Sequence, residues 1–172
     1  MRVLLIAVVF AVTACGAPAE VSTGAPQVSL SPTDLAFADL LIPQNESALA
    51  ALALTNRSSS LRPLAKKVES QYRAELAQVR AVLAEAGTRE SDQHAGHDMP
   101  GMITDAELAA AAHAQEADFD EQVKALLRNQ FEESRTVARA ERESGTSERL
   151  LELSARIDTT RAEFLTSLKE GR

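Results

Sequence analysis

Residues 94 to 102 read HAGHDMPGM and place two histidines and two methionines within nine positions, in a chain with three of each in all. His94 and His97 stand three apart, as do Met99 and Met102. Two thioethers with one or two imidazoles suit Cu(I), and imidazoles alone hold Cu(II) or Zn(II) more loosely. Asp92 and Asp98 add hard oxygens. Two glycines and a proline interrupt the stretch, so binding would carry the cost of ordering a loop. The alternative is that Met99 or Met102 packs against the end of the fold and the loop binds nothing.

Other chemistry is harder to find. His113 lies in an alanine-rich run and reads as a surface histidine. The serines at 58 to 60 have no nearby histidine, and no glycine-rich phosphate loop is present. Glu132, Glu133, Glu141 and Glu143 alternate with Arg135, Arg139 and Arg142, the pattern of a solvated helix face. The acidic run Glu116, Asp118, Asp120, Glu121 lacks the glycine and the final acid of a calcium loop. These absences argue against an enzyme.

The elements that hold the loop are helical. Ala, Leu, Glu and Arg dominate the 172 residues, with one tyrosine and no tryptophan. Ser31-Pro32-Thr33-Asp34 starts a helix running to about Leu54. Phe37, Leu40, Leu41, Ala48 and Leu52 fall on one of its faces. Pro43 interrupts its backbone bonding by freeing the carbonyl of Asp39, which predicts a kink. After a polar turn at Asn56 to Ser60, a second helix runs from about Leu61 to Ala86 with Leu64, Val68, Tyr72, Leu76, Val79 and Leu83 in register, and Gly87 stops it. Thr104-Asp105-Ala106-Glu107 is a capping box. It opens a helical stretch to Glu143, with a break expected near Ala114 to Ala117. Ser144-Gly145-Thr146 ends that stretch, and a last helix spans Ser147 to Lys169. Nothing resembles a strand. Short connections favour antiparallel neighbours, so the fold class is all-α, an antiparallel four-helix bundle over residues 32–171.

The two halves repeat weakly as helix, polar turn, helix. Setting Leu40-Leu41 against Leu126-Leu127 brings Gln44 to Gln130 and Glu46 to Glu132; farther on, Glu75-Leu76 falls against Glu163-Phe164 if the offset slips by two.

Ahead of the bundle, Arg2 precedes an apolar run from Val3 to Val12 that is too short to span a membrane. Val12-Thr13-Ala14-Cys15 resembles the lipobox of bacterial lipoproteins. The expectation is a signal peptide at residues 1–14, lipidation of Cys15, and a flexible tether over residues 15–31. Cys15 is the only cysteine, so there is no disulfide within the chain and no cysteine-based zinc site. Loss of Arg2 takes the formal charge from -7 to -8. That balance argues against nucleic acid and against bulk attraction to anionic lipid, leaving the acyl chains as the membrane contact. The protein is expected outside the cytoplasm, anchored to the outer face of the cytoplasmic membrane.

The stretch Phe37-Ala38-Asp39-Leu40-Leu41-Ile42-Pro43-Gln44-Asn45 resembles the "FAxxMIPHH" segment of the domain of unknown function 305 family. Further matches are Leu64-Ala65 through Glu75-Leu76, the phrase His97-Asp98-Met99-Pro100-Gly101-Met102 with Thr104-Asp105-Ala106-Glu107-Leu108, and Phe119-Asp120. The resemblance covers roughly residues 33 to 170. It implies an exported, ferritin-like four-helix bundle from a family with links to copper. The family's histidine pairs are replaced by Gln44-Asn45 and Gln130-Phe131, and the accompanying methionines by Leu40, Leu41, Leu126 and Leu127. A carboxamide is a poor copper ligand. The resemblance therefore implies a degenerate interior site, in which Gln44, Asn45 and Gln130 bond to one another or to Glu75 and Glu163. Two functions stay open: a structural or interaction protein with an unknown partner, or a copper-buffering lipoprotein acting through His94, His97, Met99 and Met102.

Overall fold

The computed structural model describes residues 29–55, 59–91, 94 and 97–170. The signal segment, Cys15, most of the tether and Asp92 lie outside them. Among the described residues there are five helices and no strand: α1 Pro32–Leu54, α2 Arg62–Glu85, α3 Asp105–His113, α4 Glu116–Ser144 and α5 Glu148–Glu170. Helices α1, α2, α4 and α5 form the bundle, and short α3 packs on α4 and α1. No helix among the described residues is long and apolar enough to cross a membrane.

The helix starts follow from side-chain caps. The Ser31 hydroxyl accepts from the Asp34 amide at 3.1 Å while the Asp34 carboxylate accepts from the Ser31 amide at 2.6 Å. Thr104 and Glu107 make the same reciprocal pair at the start of α3. The expected break falls at Ala114 and Gln115, both extended, so the long helical stretch divides into α3 and α4. Helix α1 continues through Pro43. Asp120, within the acidic run, accepts from the Ser59 hydroxyl at 2.6 Å and the Ser60 amide at 3.0 Å, tying α4 to the turn before α2.

The apolar core is split in two. One half gathers Ala48, Leu52, Leu64, Val68, Tyr72, Val123, Leu127 and Phe131, and includes Ile103 and Ala111 from the loop and α3. The other gathers Phe37, Leu41, Leu76, Val79, Leu83, Ala138, Leu150, Leu153 and Ile157. Leu40, expected on the buried face of α1, is only half-buried. Polar residues fill the level between the halves.

A second buried polar group closes one end. Asp34 accepts from the Thr146 amide at 3.0 Å, the Thr146 hydroxyl at 2.8 Å and the Ser147 amide at 3.0 Å, pinning the α4–α5 turn to the start of α1. Burial opposes ionisation of Asp34, but these bonds, that from Ser31 and the Glu141 carboxyl outweigh it and hold its pKa far below the usual carboxylate range. Glu141 beside it is the converse case. Its carboxyl is buried, and burial together with the adjacent Asp34 pushes its pKa up to about 8. Gly145 makes room for it: a Cβ there would lie 2.3 Å from a Glu141 carboxyl oxygen.

Candidate functional site

The polar level at mid-bundle is built on Arg161, whose side chain is wholly buried. Its guanidinium donates to the Glu75 carboxylate twice, Nη1 to Oε1 at 2.9 Å and Nη2 to Oε2 at 2.6 Å. It also donates to Asn45 Oδ1 at 3.2 Å and Ser134 Oγ at 3.3 Å. The Tyr72 ring lies against it with the guanidinium carbon 3.9 Å from the ring centroid, a cation–π contact. Asn45 Nδ2 donates to Glu75 Oε2 at 2.9 Å, Gln71 Nε2 donates to Glu75 Oε1 at 3.1 Å, and the Tyr72 hydroxyl donates to Gln130. Burial, ahead of the Glu75 charge, raises the Tyr72 hydroxyl pKa and keeps it protonated. All four bundle helices meet at this level, each contributing at least one side chain.

The pairing falls at matching places in the two helical hairpins. The offset of 86 that sets Leu40-Leu41 against Leu126-Leu127, carried on without a slip, sets Glu75 against Arg161. These two positions, 86 apart, hold an acid and a base that bond to each other. The expectation for Glu163 is therefore corrected: it is exposed, two positions off the buried stripe, and takes no part in the centre. Asn45 does bond to Glu75 as expected, whereas Gln44 and Gln130 turn to other partners. Arg161 itself escaped the sequence reading.

Gln44 turns outward to the loop. Its Nε2 donates to the Pro100 carbonyl at 2.8 Å, and Gly101 packs against the same amide. Gly101 has φ +80, and a Cβ there would come within 2.7 Å of Glu133 Cβ and 2.8 Å of Gln44 Nε2. The Ile103 amide donates to Ser47 Oγ at 3.1 Å, so the MPGM segment is docked on α1 just past Pro43. This docking shapes a cavity of about 530 Å³ lined by Pro43, Glu46, Ser47, His94, His97, Asp98 and Met102, with Ile103 and the start of α3. Three of the four expected soft ligands thus share one cavity, while Met99 lies outside it. His94 and Met102 are half-buried and His97 is exposed. Glu46, at the cavity wall, pairs with Arg80 at 2.6 Å, and Arg80 also pairs with Glu90 at 2.7 Å. Among the described residues no three His, Cys, Asp or Glu side chains converge as a metal site. His113 is exposed, as expected of a surface histidine.

The family profile for a domain of unknown function, DUF305, matches residues 34–171. The chain belongs to the DUF305 family. A solved structure described as a DUF305 fragment from Deinococcus radiodurans is similar in fold, with a TM-score of 0.74 at 19% identity over 83% of this chain and 97% of that one. A comparison with curated proteins finds no match.

A transition metal between the DUF305 helices, which the resemblance raises, does not fit the residues present. The Glu75 carboxylate is bonded to a guanidinium through both oxygens, so a cation already occupies its coordination sphere. The amides of Gln44, Asn45 and Gln130 are neutral, and Gln44 Oε1 and Gln130 Nε2 are buried without a hydrogen-bond partner. One is an acceptor and the other a donor. They are not a matched ligand pair for a metal.

Proposed function

We propose that this chain is an exported, lipid-anchored helical bundle without enzymatic activity, which acts as a structural or interaction protein at the outer face of the cytoplasmic membrane. The observation that carries the reading is the Arg161–Glu75 pair. It provides at mid-bundle the positive charge a metal ion would bring, attached covalently and shielded from solvent, so the fold needs no metal and offers no open coordination position there. The lipobox ending at Cys15 supports the anchor, and the tether supplies reach. The partner is a protein met at the cell envelope, with no role for nucleic acid.

The second reading, a copper-buffering lipoprotein, draws support from the cavity that brings His94, His97 and Met102 together beside Asp98. Copper would be its cofactor, held as Cu(I) by the thioether and imidazoles. One experiment separates the two. A Cu(I) competition titration is run on the Cys15→Ser chain and on the same chain with His94, His97, Met99 and Met102 all changed to alanine. The structural reading predicts weak binding, equal in both. Sub-micromolar binding that disappears in the alanine variant establishes the loop as a copper site and overturns the structural reading. Tight binding that survives in the variant overturns the argument from Arg161 as well.

A further inference from the structure

Three arginines on α4 converge on a single carboxylate of α5. Arg135 Nε lies 2.7 Å from Asp158 Oδ1, Arg139 Nη2 lies 3.1 Å from the same oxygen, and Arg142 Nη1 lies 3.5 Å from Oδ2. One carboxylate balances one guanidinium, so the group carries an excess of about two positive charges. Burial works against ionisation of Asp158, but Arg135 and Arg139 outweigh it and hold its pKa below the usual value. Asp158 therefore stays charged at neutral pH and orders the arginines without neutralising them.

Close ion pairing to the three arginines comes from Asp158. Glu132, Glu143 and Glu148 are exposed, and among the described residues none forms an ion pair with the three arginines. Glu141, on the same helix, is turned inward toward Asp34 and is largely protonated at neutral pH. Side chains of Arg139 and Arg142 are about half exposed, at 51% and 50%, so their remaining N–H donors face solvent. Each guanidinium has five donors in a planar fork suited to oxyanions.

The position of the group adds a second argument. Arg142 lies in the last turn of α4, and the turn that follows holds Thr146, which is bonded to Asp34 in the first turn of α1. The arginines thus begin at the end of the bundle where the N-terminal segment joins α1. Pre-ordering by Asp158 lowers the entropy lost when an anion binds.

We propose that Arg135, Arg139 and Arg142, held over Asp158 beside the start of α1, form a binding site for phosphate-type oxyanions, the chemistry shared by a phospholipid headgroup and free phosphate. The overall negative charge of the chain opposes general adhesion to an anionic surface; this local excess gives such a surface one face to meet. The site stands whether or not Cys15 is lipidated, and the test removes the acyl chains for that reason.

The test uses the full chain carrying Cys15→Ser, with and without Arg139→Gln plus Arg142→Gln. Both arginines are half-exposed, so the pair of changes should leave the fold intact, which circular dichroism checks. Flotation is measured with pure phosphatidylcholine vesicles and with mixed phosphatidylcholine–phosphatidic acid vesicles. In parallel, inorganic phosphate is titrated while the arginine side-chain N–H resonances are followed. The expected result is phosphatidic acid-dependent flotation that weakens at least about tenfold in the variant, given the usual contribution of each basic residue near an anionic surface, and that falls with added salt. Phosphate-dependent shifts of the same resonances, with no vesicle effect, identify the free anion as the ligand and also support the site. Equal flotation of both proteins, with no phosphate response, overturns the proposal.

Discussion

Replacing Arg161 by methionine is the most demanding test of the mid-bundle centre. Methionine keeps most of the stem volume but removes the guanidinium, leaving the wholly buried Glu75 carboxylate with only the Asn45 and Gln71 amides as donors. Breaking a buried ion pair from one side costs about 3–5 kcal/mol, because the remaining charge is left uncompensated. Such a loss would take a large share of the ~5–15 kcal/mol that holds a domain folded. Glu75→Gln should also destabilise, since Arg161 cannot shed its charge and keeps only the neutral Asn45, Ser134 and Tyr72 ring as partners. The double change Arg161→Met plus Glu75→Leu removes both charges and should return to within about 1–2 kcal/mol of the parent, or exceed it. Urea unfolding followed by circular dichroism gives the four stabilities, and their non-additivity gives the coupling. Single changes that each cost under about 1 kcal/mol, or a double change that merely sums the two, would refute the claim that this pair organises the centre.

Further outcomes follow from the same geometry. Glu141 has its folded pKa raised from 4.5 to about 8, so the stability it lends as a neutral acid is fully present below pH 4.5 and is lost as pH rises toward 8. At about 1.4 kcal/mol per tenfold change in proton affinity, the loss reaches at most about 5 kcal/mol. Urea midpoints should decline over that window, and Glu141→Gln should flatten the decline; an unchanged profile would remove Glu141 from the account. Asp34 acts oppositely, its contribution being lost as pH falls below the ordinary carboxylate range. Gly101→Ala, with φ +80 and two contacts under 3 Å, should cost about 1–3 kcal/mol and speed proteolysis between α2 and α3. Gln44→His, Asn45→His, Gln130→His and Phe131→His together should still bind no metal tightly at mid-bundle while Arg161 remains, and calorimetry with Cu(II) before and after Arg161→Met decides it. Cys15→Ser should move the protein from the membrane fraction to the soluble one after carbonate washing.

Much of this was legible from residue spacing. The helix starts at Ser31 and Thr104 each needed only a hydroxyl and an acid three residues on, a local signal that tertiary contacts had no reason to override. The break at Ala114–Gln115 was legible only as a region, because alanine and glutamine are good helix formers and the turn is imposed by α3 folding back on α4. Arg161 went unread since an arginine on a charged helix is ordinarily solvated, yet its spacing carried the signal. Leu150, Leu153, Ile157, Arg161 and Leu168 form one buried stripe, with a charge where an apolar residue belongs. Glu75 stands out in the same way between Tyr72 and Val79. An acid and a base, each on an otherwise apolar helix face, invite pairing. The convergence of three arginines on Asp158 had no sequence signal, since it depends on how α4 and α5 meet.

The division of the core into two apolar halves has a consequence for how the helices choose their alignment. Leucine, valine and alanine make nearly equivalent contacts if a helix slides by one turn, so an apolar bundle leaves its axial register weakly specified. A charged level changes that. Sliding α5 by a turn against α2 would carry Arg161 into one of the apolar halves and strand Glu75, at a cost set by burying two unpaired charges. Only one vertical setting of the helices avoids it, as a single polar residue does in a coiled-coil seam. On this argument the Arg161–Glu75 pair is expected to set one axial register for the four helices, at some cost in stability.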